Sequence, residues 1–241
     1  MIDTHAHFNS RDIKALDIDI PRLNGSQLTK VINVGLDIET SLESLSISNR
    51  NDKFYTSLGI HPLYKGSIKE LFDIYSTNLN TKIVAIGETG LDIGGNIDEQ
   101  ITNFIQQIHL ANALKLPLII HAKNTNKLVM EIIKKYKPLY GFVFHCFQSD
   151  LTILDDIIDL GGYVSVAKPI TRPTANKSLQ VIKIIPRDRL LIELDYPYLS
   201  DNPTLDGKNV FNVIKGIWNI PKSELEEQLD SNAKTLFKRL K

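Results

Sequence analysis

Five of the six histidines in this chain fall at the ends of short apolar runs. MIDTHAHF carries His5 and His7 two residues apart, GIHP carries His61, LIIHAK carries His121 and FVFHC carries His145, whereas His109 lies inside an amphipathic stretch. Two carboxylates hold equivalent positions, Glu88 in AIGETGLD and Asp195 in LLIELDYP. On an extended chain residues i and i+2 face the same way, so His5 and His7 can grip one ion from one side. Imidazole and carboxylate together suit Zn²⁺, Mn²⁺, Fe²⁺ or, with more carboxylate and water, Mg²⁺. Six ligands from one such set are too many for one tetrahedral zinc. That favours two divalent metal ions, with Glu88 best placed to bridge them.

Such donors must be brought together by the elements that end in them. Candidate strands cover 1–5, 30–36, 54–60, 82–88, 116–121, 141–145, 162–166 and 190–195. Several are continuous β-branched runs, as strands buried on both faces require. Between them lie helical patterns at 39–50, 67–79, 97–111, 125–137, 150–160 and 174–185. A further one near the end begins with SELE, where Ser223 and Glu226 fit a capping box. The pattern over 8–29 is unclear, and GLDIGGN reads as a loop. Eight strands with helical crossovers predict an α/β fold, a (β/α)₈ TIM barrel over 1–241 as a single domain. No GxGxxG follows the first strand, which argues against a dinucleotide fold. In such a barrel the C-terminal mouth carries the site, and all seven side chains named above, His61 included, fall there.

The 241 residues carry 28 basic and 28 acidic side chains, so no global field steers a polyanion to the surface. The single cysteine, Cys146, excludes a disulfide framework and suits a reducing compartment. There is no secretory signal pattern, and the longest apolar runs are too short to span a bilayer. A cytoplasmic protein with no membrane association is expected. Cys146 reads as a small buried hydrophobe and His109 as a structural contact. Asp3 and Glu193 read as residues that orient a histidine or close the barrel. Lys123, Lys168 and Arg172 follow strands five and seven and are candidates for phosphate contact. Phe8, Tyr64, Phe147, Tyr196 and Tyr198 are candidates for stacking on a base.

Taken in order, DTHAHF, GIHP, AIGETGLD, LPLIIHAKN, HCFQS, GGYVSV, IPRDRLLIELDYPYL and NAKTLF resemble the TatD family of metal-dependent hydrolases, within the amidohydrolase-like superfamily. The resemblance covers essentially the whole chain. It implies a TIM barrel with a two-metal site, in which His5 and His7 bind the first ion with Asp195, Glu88 bridges, and His121 and His145 complete the second. His61 would sit beside the metals and position a phosphate or leaving group, and Asp195 would take the proton of the attacking water. Family members include Mg²⁺-dependent deoxyribonucleases that trim DNA from the 3′ end. The chain departs from the family pattern without losing a metal ligand, and several departures fall at residues that the resemblance implies would contact phosphate. Leu63 stands where GIHPH has its second histidine, Lys123 replaces an arginine, and Leu194 and Tyr196 replace threonine and alanine. Lys168 replaces a glycine, and GKN (Gly207, Lys208, Asn209) lacks an arginine.

The expected activity is that of a two-metal phosphodiesterase acting on DNA ends, as a deoxyribonuclease on single-stranded DNA or a small phosphodiester. Asp195, Glu88 and His61 would do the chemistry, and His61, Lys123 and Tyr198 would contact substrate. Two other readings remain. One is a metal-dependent hydrolase of a small ester, lactone or amide, since the same activated water attacks a carbonyl; the other is a non-catalytic metal-binding scaffold.

Overall fold

The computed structural model describes residues 1–9, 23, 27–78, 82–149 and 151–241. Eight parallel strands follow one another in chain order: β1 (Ile2–Ala6), β2 (Lys30–Val34), β3 (Phe54–Leu58), β4 (Ile83–Asp92), β5 (Leu118–Lys123), β6 (Phe142–Phe144), β7 (Tyr163–Val166) and β8 (Leu190–Ile192). They form a nearly closed (β/α)₈ TIM barrel, as the sequence predicts. The ring is completed between β1 and the chain leaving β8. His5 O accepts from the Asp195 N–H at 2.8 Å, and Tyr196 O accepts from the His7 N–H at 2.7 Å. The buried Asp3 carboxylate accepts the backbone N–H groups of His5 and Leu194, both at 3.1 Å. Asp3 therefore closes the barrel, one of the two roles expected of it.

The helices are α1 (Ile38–Arg50), α2 (Ile68–Thr77), α3 (Ile97–Leu114), α4 (Asn126–Tyr136), α5 (Leu151–Asp159), α6 (Asn176–Ile184), α7 (Pro203–Trp218) and α8 (Lys222–Leu236). Their apolar faces pack on the outside of the sheet, where Phe104, Ile108, Val129 and Val181 are fully buried. Inside the barrel Ile32, Val34, Val84, Ile119, Val143 and Leu191 form a second core that also includes Ala233, Leu236 and Phe237. The last helix thus seals the N-terminal end of the barrel and leaves the C-terminal mouth as the open one. No helix among the described residues is long and apolar enough to cross a membrane.

Three local expectations are corrected. Helix α7 was not foreseen: Gly207 and Gly216 lower its helical propensity, although Asn202 caps it and Pro203 occupies its first turn. Ser223 does not cap α8, because the helix already starts at Lys222 after Pro221, and Glu226 pairs with the Met1 ammonium at 3.0 Å instead. Strand β4 runs on to Asp92, through half of the stretch read as a loop. The unclear segment 8–29 lies mostly outside the described residues.

The extension of β4 depends on glycine. Gly90 has φ +141°, and a Cβ there would lie 2.0 Å from the His121 carbonyl oxygen. Strands β4 and β5 approach this closely where Glu88 and His121 must meet. Gly90→Ala is expected to destabilise the metal-free protein by at least about 2 kcal/mol. Denaturant unfolding checks this, and an unchanged midpoint would contradict the close approach.

Candidate metal centre

Glu88 sits at the middle of the mouth, only 3% exposed. Its two carboxylate oxygens face different partners. Oε2 is 3.4 Å from His5 Nε2 on β1 and 3.5 Å from His7 Nε2 just after it. Oε1 is 2.7 Å from His121 Nδ1 on β5, 2.9 Å from His145 Nε2 after β6, and 3.7 Å from His61 Nε2 after β3. Asp195, after β8, joins the first group with Oδ1 3.5 Å from His7 Nε2 and 3.9 Å from His5 Nε2. All seven side chains that the sequence singled out at strand ends therefore converge. His109 stays outside, edge-on to Tyr136 at 5.8 Å.

Hydrogen bonds behind the rings fix what each nitrogen can do. His7 Nδ1–H donates to Val34 O at 2.9 Å, which turns Nε2 into the cluster, 2.9 Å from His5 Nε2. His121 Nε2–H donates to Asp92 Oδ2 at 3.0 Å, which turns Nδ1 onto Glu88 Oε1 at 2.7 Å. His145 Nδ1 makes no hydrogen bond among the described residues and lies 3.5 Å from Glu193 Oε1, with Nε2 turned inward. His61 differs: its Nδ1 accepts from the Leu63 N–H at 3.2 Å, so its inward Nε2 carries the proton and acts as a donor.

Electrostatics follow the same division. Burial alone would raise Glu88, but the surrounding histidines hold it well below the usual carboxylate range. Burial opposes protonation of His145 and His7, yet Glu88 and Glu193 for the former, and Asp195 and Glu88 for the latter, raise both. Burial lowers His5, and it pushes His61 down to about 4. Imidazole nitrogens packed this tightly against carboxylate oxygens require positive charge, on the rings or between them. Nitrogen and oxygen donors lying within 4.8 Å of one another, in sets such as His5, His7, Asp195 and His5, Glu88, His145, fit a divalent cation.

Asp92 escaped the sequence reading. It is 4% exposed, its Oδ1 accepts from the Gly94 N–H at 2.9 Å, and its own N–H donates to Gln100 Oε1 at 2.9 Å. The signal was available: Glu88, Gly90 and Asp92 alternate along one strand, so both carboxylates project to one face. Glu193 accepts from the Cys146 N–H at 2.6 Å and from the Ser165 hydroxyl, and so holds its place behind His145. The positive φ values of Asp195 (50°) and Cys146 (43°) place two non-glycine residues of this mouth in the left-handed region.

The cluster lies at the floor of a cavity of about 610 Å³ whose walls include Leu63, Tyr64, Lys123, Gln148 and Tyr198. Lys123 is exposed, with its ammonium 4.0 Å from Asp92. Tyr64 and Tyr198 stand edge-on to His61 and His7, at 5.7 and 5.2 Å. Lys168 is not free for phosphate, because its ammonium pairs with Asp201 and Asp206, each at 3.2 Å.

A (β/α)₈ barrel with histidines and carboxylates gathered at its C-terminal mouth defines the class of metal-dependent hydrolases. Residues 2–238 match the family model described as TatD related DNase, and the chain belongs to this family. It is 31% identical over 252 residues to the uncharacterized metal-dependent hydrolase YabD of Bacillus subtilis (strain 168), with 99% of each chain covered. It is 30% identical over 258 residues to YjjV of Escherichia coli (strain K12), with 98% and 97% covered. The crystal structure of that YjjV superposes with a TM-score of 0.90 at 26% identity, covering 99% of this chain and 98% of that one. A hydrolase TatD family protein from Entamoeba histolytica shares the fold with a TM-score of 0.86 at 21% identity.

Two predictions follow from the environments of His61 and Cys146. The unfolded chain protonates His61 near 6.5 and the folded chain only near 4. Stability of the metal-free protein should therefore fall as pH drops through that window, by roughly 3 kcal/mol from this group. His61→Gln should flatten that part of the stability–pH curve, measured by denaturant unfolding at each pH. Burial pushes the Cys146 thiol up to about 12. The native protein should thus resist iodoacetamide at pH 8 under conditions that label the unfolded chain fully, as mass spectrometry would show.

Proposed function

We propose that the cluster holds two divalent cations, one on each side of Glu88, and that the protein hydrolyses phosphodiester bonds at DNA ends. The single observation carrying this reading is the division at Glu88: Oε2 faces His5 and His7, with Asp195 beside them, and Oε1 faces His121 and His145. A carboxylate so placed suits a bridge between two ions. When bound, such ions supply Lewis-acid polarisation and an acidified water. Asp195, at the edge of the cavity, accepts the proton of the attacking water. His61 Nε2–H, neutral because burial holds its acidity near 4, donates to a phosphoryl or leaving oxygen. Lys123 adds a positive charge at the rim, and Tyr64 and Tyr198, 39% and 48% exposed, offer faces for a terminal base.

Removal of the metal with a chelator is expected to abolish hydrolysis, and Mg²⁺, Mn²⁺ or Zn²⁺ to restore it. Asp195→Asn should fold normally, since asparagine also tolerates the left-handed backbone at 195, while turnover falls by about 10²–10⁴-fold. Single-stranded oligonucleotides and bis-p-nitrophenyl phosphate, assayed beside lactones and amides, check the substrate class. Turnover of the carbonyl compounds alone would overturn the phosphodiesterase reading. Absence of any metal-dependent turnover, with Asp195→Asn indistinguishable from the unmodified protein, would leave only the scaffold.

A further inference from the structure

Both halves of the cluster need negative charge, and they obtain it differently. On the Oε2 side Asp195 stands within the cluster itself, 3.5 Å from His7 Nε2. Among the described residues no carboxylate pairs with the outward ring nitrogens of that side: His7 Nδ1 meets the Val34 carbonyl, and His5 Nδ1 has no hydrogen-bond partner. On the Oε1 side no carboxylate other than the shared Glu88 enters the cluster. Two carboxylates stand behind its rings instead: Asp92 accepts from His121 Nε2–H at 3.0 Å, and Glu193 places its charge 3.5 Å from His145 Nδ1, which like His5 Nδ1 makes no hydrogen bond among the described residues. Both are almost fully buried and anchored from their own side, Asp92 by the Gly94 N–H and Glu193 by the Cys146 N–H and the Ser165 hydroxyl. Neither can exchange roles with a ligand, since each lies against the ring nitrogen that points away from Glu88.

We propose that Asp92 and Glu193 are positioning residues for one ion only, the one beside His121 and His145, and that the ion beside His5, His7 and Asp195 is indifferent to them. This rests on the two-ion reading above. A carboxylate behind a ligating imidazole fixes its tautomer, turns its lone pair inward and makes it a stronger donor. Loss of such a partner lowers metal affinity by about 10–100-fold. Coulombic interaction with an ion behind a ring adds to this and weakens with distance, so the effect stays on the nearer ion.

The test is Mn²⁺ binding to the metal-free full-length protein, followed by calorimetry and by electron paramagnetic resonance to count bound ions. Asp92→Asn and Glu193→Gln remove the charge and keep one of the two acceptor oxygens, the other becoming an amide donor; circular dichroism of the metal-free variants confirms the fold. His121→Ala and His7→Ala identify which binding event belongs to which half. The expected result is two events in the unmodified protein. The one abolished by His121→Ala should weaken about 10–100-fold in Asp92→Asn and in Glu193→Gln, and the one abolished by His7→Ala should stay unchanged. If two ions bind but the charge-removing variants weaken both alike, weaken the His7-dependent event, or change neither, the inference is wrong and the two-ion reading survives. A single ion bound by the unmodified protein would overturn both.

Discussion

The structure is organised around one buried negative charge. The Glu88 carboxylate has almost no contact with solvent, and an isolated charge in that position would cost several kcal/mol or more. Five imidazoles from four other strand ends surround it, and their positive charge or the ions they hold must offset that cost. The geometry of the barrel mouth follows. β4 has to run past its neighbours to bring Glu88 to the axis, and glycines at 87 and 90 let it pass within contact distance of the β5 backbone. β1 and the chain after β8 have to meet so that His5, His7 and Asp195 share one corner. The Asp3 carboxylate fastens that seam from below.

The seam also explains why Asp3 and Asp195, similar side chains on adjacent segments, differ in acidity. Asp3 is sealed inside the barrel, and burial drives it well above the usual carboxylate range. For Asp195 the same pressure is more than offset by the hydrogen bond with His7 and the positive neighbours, and it stays ionised. The first contributes acceptors to backbone N–H groups; the second contributes a negative charge to the cluster. Position relative to the mouth separates the two roles.

Much of this was legible in the sequence because eight apolar runs mark the strands, and six of them end in a change from apolar to ionisable residues. Those six ends placed all seven side chains, and the structure brings them together. What the sequence concealed depended on non-local geometry. Asp92 looked like a loop residue because the glycines around it are poor strand formers, and only the close packing against β5 makes strand the favoured state there. Helix α7 was hidden by its own glycines, although its cap was visible. The SELE motif satisfied a capping pattern, yet Pro221 starts the helix earlier and the N-terminal ammonium takes Glu226. Lys168 looked available for phosphate because its two acidic partners lie more than thirty residues later in the chain.

Two departures from the family pattern, Leu63 and Lys123, fall at the rim, and the hydrogen bonds show why the centre tolerates them. Leu63 replaces a histidine next to His61, but what His61 requires from that position is the backbone N–H, which sets its tautomer whatever side chain follows. The Leu63 side chain itself is half exposed and contributes only an apolar wall. Lys123 stands in for an arginine at the exposed end of β5, beyond His121, where it keeps the charge and loses the two-pronged donor. Neither change alters a nitrogen or oxygen that faces Glu88. The barrel thus separates an electrostatic centre, in which each group is constrained by the charges of the others, from a wall in which side chains can vary without disturbing it. Differences in substrate among relatives of this chain should therefore be sought in the wall at 63, 64, 123 and 198.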